Sequence, residues 1–201
     1  MPKGSAAGQM LYWNGSAWIT VASGKQGQLL RFDNGVPTWE KNMKIGDYYQ
    51  GGIVAYILVP GDPGYIAGEV HGLISAAADQ SASGSTRGCK GTLIGGTSLA
   101  LGTGKANTTT IVNGCATAGT AAKLCNDLQL NGFSDWYLPS RNELIDIRSN
   151  KDLLSFRANT YWTSSEIDAN MAYGVGFDDN TVAVPINKAN ILLPVRAIRA
   201  F

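Results

Sequence analysis

The residue types that most often carry chemistry are sparse in this sequence. The single histidine, His71, lies within the apolar run VHGLISAAA. A nucleophilic pair of His71 with a cysteine or serine is conceivable, but apolar surroundings favour a core histidine with satisfied hydrogen bonds. Asp178 and Asp179 are adjacent in a predicted turn. Their carboxylates therefore point apart and do not form the opposed acid–base pair of a glycoside hydrolase.

The segment GTGK, residues 102–105, resembles part of a phosphate-binding loop. That motif requires a glycine five positions before its second glycine and a serine or threonine after the lysine. Leu99 and Ala106 occupy those positions here. The sequence therefore predicts no nucleotide-phosphate site.

Three cysteines, Cys89, Cys115 and Cys125, have no zinc-binding spacing. Cys125 falls on the apolar face of a predicted helix and is interpreted as a core residue. Cys89 and Cys115 lie in glycine-rich loops, where they either pair in a disulfide or stay free. No EF-hand calcium pattern is present. We expect no metal and no cofactor.

The composition restricts the possible partners. Charged residues make up 15% of the 201 residues and the net charge is +1, so no basic surface for nucleic acid or an acidic membrane is predicted. No apolar segment approaches the roughly 20 residues that span a bilayer, so we expect no membrane insertion. The N-terminus has no apolar signal region. We therefore expect no independent export by that route, although the chain could act outside a cell within a larger particle.

The first forty residues contain a repeat, GQMLYWNGSAW at 8–18 and GQLLRFDNGVPTW at 27–39. An Asn-Gly pair between apolar runs is a strong hairpin signal. Such small hairpins do not bury their tryptophans alone, so they must pack on the following domain or on other copies of the chain. We predict an N-terminal unit of hairpin repeats, residues 1–42, for oligomerisation or attachment, and a second domain, residues 43–201.

The second domain is predicted to be α+β. Strands are expected over residues 45–78, followed by a long irregular stretch over 80–110. One helix is predicted from about 118 to 130, and another begins at the capping box formed by Ser140 and Glu143. Strands return from 161 to 201, with turns near 178–180 and 187–188.

Strict alternation marks the stretch YWTSSEIDANMAYGVGFDDNTVAV, residues 161–184. Tyr173, Val175 and Phe177 are large and apolar, which is typical of the core face of a half-buried strand. The residues between them, Ala172, Gly174, Gly176 and Asp178, are small or polar and are assigned to an outer, solvent-facing side.

Five ordered motifs identify a resemblance over about residues 45–201. They are VHGLISAAADQ, GTGKANTTTIV, NGFSDWYLPSRNEL, YWTSSE and VRAIRAF. They resemble a bacterial and phage domain family named after the C-terminal domain of a Legionella collagen-like adhesin. That family is similar in fold to C-type lectins and to the variable proteins of diversity-generating retroelements. The front repeats look like those near the tips of phage tail fibres. The resemblance implies a C-type lectin-like domain with two helices and a small, mostly antiparallel sheet.

The resemblance also implies a binding protein rather than an enzyme. In retroelement-diversified relatives the variable positions lie between a YW-S-S type motif and a final VR strand. The corresponding candidate ligand-binding residues here are Ile167, Asp168, Asn170, Gly174, Gly176, Asp178, Asp179, Thr181, Ala183, Pro185 and Ile186. The alternative, an ordinary solvent-exposed strand face, stays open.

The implied partners are a host cell-surface protein or glycan, other subunits of a virion or surface structure, and two further copies in a homotrimer. The implied location is a phage tail or the cell surface. A bacterial surface or fimbrial adhesin that binds glycans is the alternative, and a purely structural tip component is a third possibility. Formylglycine-generating enzymes share the fold, but the three cysteines match no such site. The Glu-Pro-Asn type calcium motif of lectins is absent.

Most of the motif residues are interpreted as structural. Large aromatics beside turn residues favour the core, as for Trp136, Tyr137 and Trp162. Ser164, Ser165 and Glu166 are expected to satisfy loop backbone donors. Arg196 and Arg199 could bind an anionic ligand, but buried pairing with Asp135 or Glu143 is favoured.

Overall fold

The computed structural model describes residues 4–25, 28–41, 43–178, 182–189 and 191–201. Their architecture is α+β, with small antiparallel sheets and three α-helices. The strands are β1 Met10–Trp13, β2 Trp18–Val21, β3 Gln28–Asp33, β4 Val36–Lys41, β5 Tyr48–Tyr49, β6 Gly52–Ile57, β7 Gly72–Ser75, β8 Thr160–Glu166, β9 Met171–Gly176, β10 Ala183–Asn187 and β11 Ile198–Ala200. The helices are α1 Gly104–Gly114, α2 Ala121–Asn126 and α3 Arg141–Arg148, with a 3₁₀ helix at Lys151–Leu153.

The two predicted hairpins are confirmed as β1–β2 and β3–β4. In the second turn, Asn34 and Gly35 have φ values of 48° and 83°, the left-handed backbone that a tight two-residue hairpin turn requires. The repeated glutamine has the same role in both copies. Gln9 accepts a hydrogen bond from the Ser5 amide at 2.7 Å, and Gln28 accepts one from the Lys25 amide at 2.8 Å. The sequence repeat is therefore also a structural repeat.

The main sheet has the order β11-β7-β6-β5 and a second sheet has the order β10-β9-β8. The last strand pairs with β7, with Ile198 opposite Ser75. Because β7 is central and fully buried, this pairing ties the end of the chain into the core. The single small sheet predicted from the sequence is thus two separate sheets.

Two clusters of buried side chains form the core. One contains Trp136 and Trp162, and the other contains Tyr137. These three aromatic residues expose at most 3% of their surface, so their interpretation as core residues is confirmed. Burial of such large rings supplies much of the hydrophobic stabilisation.

Helix α1 was not predicted, because its sequence GKANTTTIVNG is rich in residues of low helix propensity. Tertiary contacts compensate. The buried Asn107 side chain donates to Ser98 O at 2.7 Å and to Ser164 Oγ at 3.0 Å, and Ile111 is fully buried. The irregular stretch predicted to reach residue 110 therefore ends at Thr103.

The other two helices were predicted, one with the wrong bounds. Helix α2, Ala121–Asn126, is shorter than the expected 118–130. Helix α3 begins with the predicted capping box, in which Ser140 and Glu143 exchange hydrogen bonds. Cys125 on α2 is buried and free, as interpreted, and its burial raises the pKa of its thiol above the ordinary value.

Cys89 and Cys115 form a disulfide, with 6.1 Å between their Cα atoms. The bond joins an irregular loop to the residue that follows α1. The loop over residues 88–95 is thereby fixed to the helical side of the domain.

The C-terminal arginines are both paired. Arg199 binds Asp135 through two hydrogen bonds of 2.7 and 3.0 Å, one of the predicted pairings. Arg196 instead binds Asp79, at 2.9 and 2.7 Å, so its predicted pairing with Asp135 or Glu143 is wrong. The Glu143 carboxylate is already used in the α3 capping box and by the Gly102 amide.

Candidate binding surface

The even-numbered side of β9 is covered by protein. Ala172 is fully buried, and Gly174 and Gly176 are buried as well. A Cβ on Gly174 would lie 2.5 Å from Ile186 Cδ1 and 2.7 Å from Thr160 Cγ2. The prediction that this side faces solvent is wrong, because β10 and β8 leave no open space there.

The odd-numbered side of β9 is divided into a covered half and an open half. Val175 and Phe177 belong to the core cluster that includes side chains of α3, and Phe177 stacks on Phe156 with ring centroids 4.1 Å apart. Tyr173 and Met171 extend past this cover and are half-exposed. Core packing thus stops partway along the strand.

The open half continues onto β10. Pro185 is paired with Tyr173, and Asn187 with Met171. Pro185 is exposed and Asn187 is half-exposed. A proline fits here because β10 is an edge strand, where a missing amide donor leaves no ladder bond unmade.

The connection between β8 and β9 extends the open region. Ile167, Asp168 and Asn170 are exposed, and the Ile167 side chain leaves 38% of its surface uncovered. The Asp168 carboxylate accepts hydrogen bonds from the Asn170 and Met171 amides at 2.7 and 2.8 Å. Asp168 therefore shapes the turn, whereas Ile167 and Asn170 have no such side-chain role among the described contacts.

These side chains form one continuous patch, which we call the β9–β10 surface. Its continuity follows from the pairing of Asn187 with Met171 and from the hydrogen bond of 2.9 Å between the Lys188 amide and Asn170 O. The Arg141 guanidinium lies 5.2 Å from the Tyr173 ring centroid and borders the patch. The surface consists of Ile167, Asp168, Asn170, Met171, Tyr173, Pro185 and Asn187.

Of the predicted binding residues, Ile167, Asp168, Asn170 and Pro185 are exposed on this surface. Ala183 and Ile186 are half-buried and pack against the two core clusters. Asp178 is half-buried, and its backbone oxygen accepts a 2.8 Å hydrogen bond from Arg148. Asp179 and Thr181 lie outside the described residues.

The sequence interpretation missed Tyr173, Met171, Asn187 and Arg141. Tyr173 was assigned to the core face, since it has the same parity as Val175. Val175 is buried and Tyr173 is half-exposed, because the apolar side chains of α3 and Phe156 pack over Val175 but do not cover Tyr173. Alternation along a strand does not predict how far such packing extends.

A buried ion pair supports the surface from below. Lys188 binds Glu166, with 0% and 2% of the two side chains exposed. Lys188 also donates to Thr92 O at 3.2 Å, and Glu166 accepts from the Ile94 and Gly95 amides at 3.2 and 2.7 Å. The structural role expected for Glu166 is confirmed.

The hydrogen bonds of Glu166 determine its charge. Burial alone would raise the pKa of its carboxyl, but the bonds from Lys188 and from the Gly95 and Ile94 amides hold that pKa below the ordinary value. The carboxylate is therefore charged at neutral pH. It joins the β8–β9 connection to the 88–95 loop and to the end of β10.

Arg87 adds a second buried cation beside this pair. Its Nη2 donates to Ser164 O at 3.3 Å, while Nε and Nη1 have no hydrogen-bond partner among the described residues. Burial lowers the pKa of Arg87 to about 10, partly offset by Glu166. Two buried cations therefore lie near one carboxylate, an arrangement whose desolvation cost the rest of the fold offsets.

The other chemically capable residues are engaged elsewhere. His71 is half-buried, with Nε2 2.9 Å from Glu69 and Nδ1 3.2 Å from the Phe201 backbone oxygen. Hydrogen bonds from His71 and Lys25 hold the pKa of Glu69 below its ordinary value. Across the described residues, no group of three or more His, Cys, Asp or Glu side chains is arranged to hold a metal ion. No helix in that part of the chain is long and apolar enough to cross a membrane.

No family model matches this chain, and no curated protein matches it either.

Proposed function

We propose that this chain is a receptor-binding or adhesion protein with a C-type lectin-like domain, and that it recognises a cell-surface protein or glycan through the β9–β10 surface. The α+β architecture is compatible with such a domain. The proposed setting is the tip of a phage tail fibre. A bacterial surface or fimbrial adhesin that binds glycans is the alternative.

The observation that carries the proposal is that exposed and half-exposed side chains of the β9–β10 surface lie on a buried, hydrogen-bonded frame. Tyr173 and Arg141 are half-exposed and adjacent, and tyrosine and arginine are among the residue types that dominate binding energy at interfaces. Their backbones are held by β8, because the Arg141 amide donates to Ser165 Oγ at 3.0 Å and Thr163 Oγ1 donates to Tyr173 O at 2.7 Å. The buried Lys188–Glu166 pair joins the ends of β8 and β10. A preorganised binding site requires accessible side chains whose backbone is held rigidly in place.

The hairpins support a second part of the proposal, self-association. Trp13 and Trp18 expose 53% and 46% of their surface, and Phe32 exposes 69%. Trp39 differs, because its ring lies on Gly24 and its Nε1 donates to Ala22 O at 2.8 Å. We propose that other copies of the chain cover the exposed rings in a homotrimer. Three copies would add avidity to a weak single site.

Diversification by a retroelement would be restricted to exposed positions of this region. A Cβ on Gly174 would clash with Ile186 and Thr160, and Gly176 is buried, whereas Ile167, Asn170 and Pro185 are exposed. The genomic test is a search for a near-copy of the DNA that encodes residues 161–201, differing mainly at adenines, beside a reverse transcriptase gene. Without such a copy the diversified version is abandoned and plain receptor binding remains.

The direct test is attachment of the labelled intact chain to candidate host cells. Tyr173→Ala should abolish most of the binding, and Leu153→Ala, an exposed apolar residue on the 3₁₀ helix, serves as the matched control. Pretreatment of the cells with protease or with glycosidase separates a protein receptor from a glycan. Equal attachment by wild type and Tyr173→Ala would overturn the proposed site.

A further inference from the structure

A cavity of about 240 Å³ lies where the starts of β7 and α1 meet the end of β11. It shares no residue with the β9–β10 surface. Leu58, Leu73, Leu101, Tyr137 and Phe201 supply most of its apolar wall.

Close backbone packing shapes this cavity. A Cβ on Gly72 would collide with the Tyr56 backbone oxygen and with the Phe201 ring. Glycine at that position lets Phe201 lie directly against β7, where its ring forms one wall. Backbone hydrogen bonds between Gly72 and Phe201 therefore hold this wall in place.

Lys105, in the first turn of α1, supplies a cation at the edge of the cavity. Its side chain is exposed, and its charge helps to lower the pKa of Asp135, whose carboxylate is hydrogen-bonded first of all to Arg199. The buried Glu143 carboxylate accepts from the Gly102 amide at 3.1 Å, so Lys105 is the solvent-facing charge on this wall.

His71 also lines the cavity. Its ring nitrogens lie 2.9 Å from the Glu69 carboxylate and 3.2 Å from the Phe201 backbone oxygen. Glu69 is also paired with Lys25 at 3.3 Å. The Glu69 carboxylate, beside the lining residue His71, is thus already engaged by two neighbouring side chains.

We propose that this cavity binds a small carboxylic acid with an apolar body about the size of one aromatic ring. A cavity of roughly 150 Å³ accepts benzene, so the volume here admits a ring with a carboxylate attached. The ring packs against Leu101, Tyr137 and Phe201, and the carboxylate faces Lys105. This site is independent of the proposed attachment function.

The test uses the intact chain with benzoate and its neutral analogue benzyl alcohol, followed by ligand-observed NMR titration. Benzoate should bind with a Kd on the order of 1 mM, as expected for so few atoms. Lys105→Met should weaken benzoate about threefold to fivefold, because an ion pair at an exposed edge is partly screened, and should leave benzyl alcohol unchanged. Lys90→Met, a change of another exposed lysine outside the cavity, should affect neither ligand.

A second variant tests the apolar part. Leu101→Phe should fill the cavity and weaken both ligands while the melting temperature confirms a folded chain. Absence of saturable benzoate binding by the wild type would overturn the proposal. So would benzoate binding that neither Lys105→Met nor Leu101→Phe changes, since the ligand would then lie elsewhere.

Discussion

Lys188 and Glu166 form a buried ion pair that holds three segments together: the end of β8, the residue after β10 and the 88–95 loop. Neither side chain reaches solvent to any useful extent. The pair therefore acts as an internal brace for the β9–β10 surface, and loss of either partner leaves a charge buried without its counterion.

Glu166→Gln should destabilise the fold by about 3–5 kcal/mol, the usual cost of leaving one member of a buried pair uncompensated. Urea unfolding followed by tryptophan fluorescence measures the change. Asp152→Asn, which removes a carboxylate from the exposed side of the 3₁₀ helix, is the control and should change stability by less than about 0.5 kcal/mol. If both substitutions changed the free energy of unfolding by similarly small amounts, the stabilising role of the Lys188–Glu166 pair would be contradicted.

Stability should also fall in acid through Glu166. Its folded pKa lies below the ordinary 4.5, so its contribution is present above the unfolded pKa and is lost as the pH falls from about 4.5 through the folded pKa. Melting temperatures recorded from pH 6 to pH 3 should drop more steeply for wild type than for Glu166→Gln. Parallel curves would show that other carboxyls account for the acid sensitivity.

Reduction of the Cys89–Cys115 disulfide should lower stability by about 3 kcal/mol, because the bond closes a loop with a sequence separation of 26. Thermal melting with and without dithiothreitol measures this loss. The double variant Cys89→Ser/Cys115→Ser should match the reduced wild type and should not respond to the reductant. A shift in the double variant on adding dithiothreitol would assign the effect to something other than this bond.

Gly174→Ala should destabilise the chain by about 1–3 kcal/mol, as is typical when a well-packed interior receives an extra carbon. The new Cβ would meet Ile186 and Thr160. Phe177→Ala should cost about 3–5 kcal/mol through the cavity it leaves. Asn170→Ala, on the exposed connection, is the control and should be nearly neutral. A neutral Gly174→Ala would mean that β10 moves away from β9 without cost.

Trp13→Ser combined with Trp18→Ser should weaken self-association of the intact chain. The two rings are exposed in a single copy and lie 5.7 Å apart, so a partner copy gains by covering them. Light scattering at micromolar concentration should show a trimer for wild type and smaller species for the variant. A wild-type monomer whose tryptophan fluorescence is readily quenched by iodide would contradict the proposed oligomer.

Local signals in the sequence were sufficient for several elements. The Asn-Gly turns placed both hairpins, and the spacing of Ser140 and Glu143 placed the start of α3. The aromatic residues beside turns correctly indicated the core. These signals succeed because hairpin turns and helix caps depend on backbone geometry and hydrogen bonds within a few residues.

Tertiary structure alone decided the site and its support. Whether Tyr173 is buried depends on how far the side chains of α3 and Phe156 extend along β9. The partners Arg196 and Asp79 are 117 residues apart in the sequence. The buried Lys188–Glu166 pair connects the end of β8 and the residue after β10 to the 88–95 loop, which is distant in sequence and is held by the disulfide. Alternation along β9 identified Val175 and Phe177 as core residues, but it could not show that β8 and β10 close over Gly174. The reason is physical: side-chain parity follows from the strand itself, whereas burial depends on which neighbouring elements pack against each face.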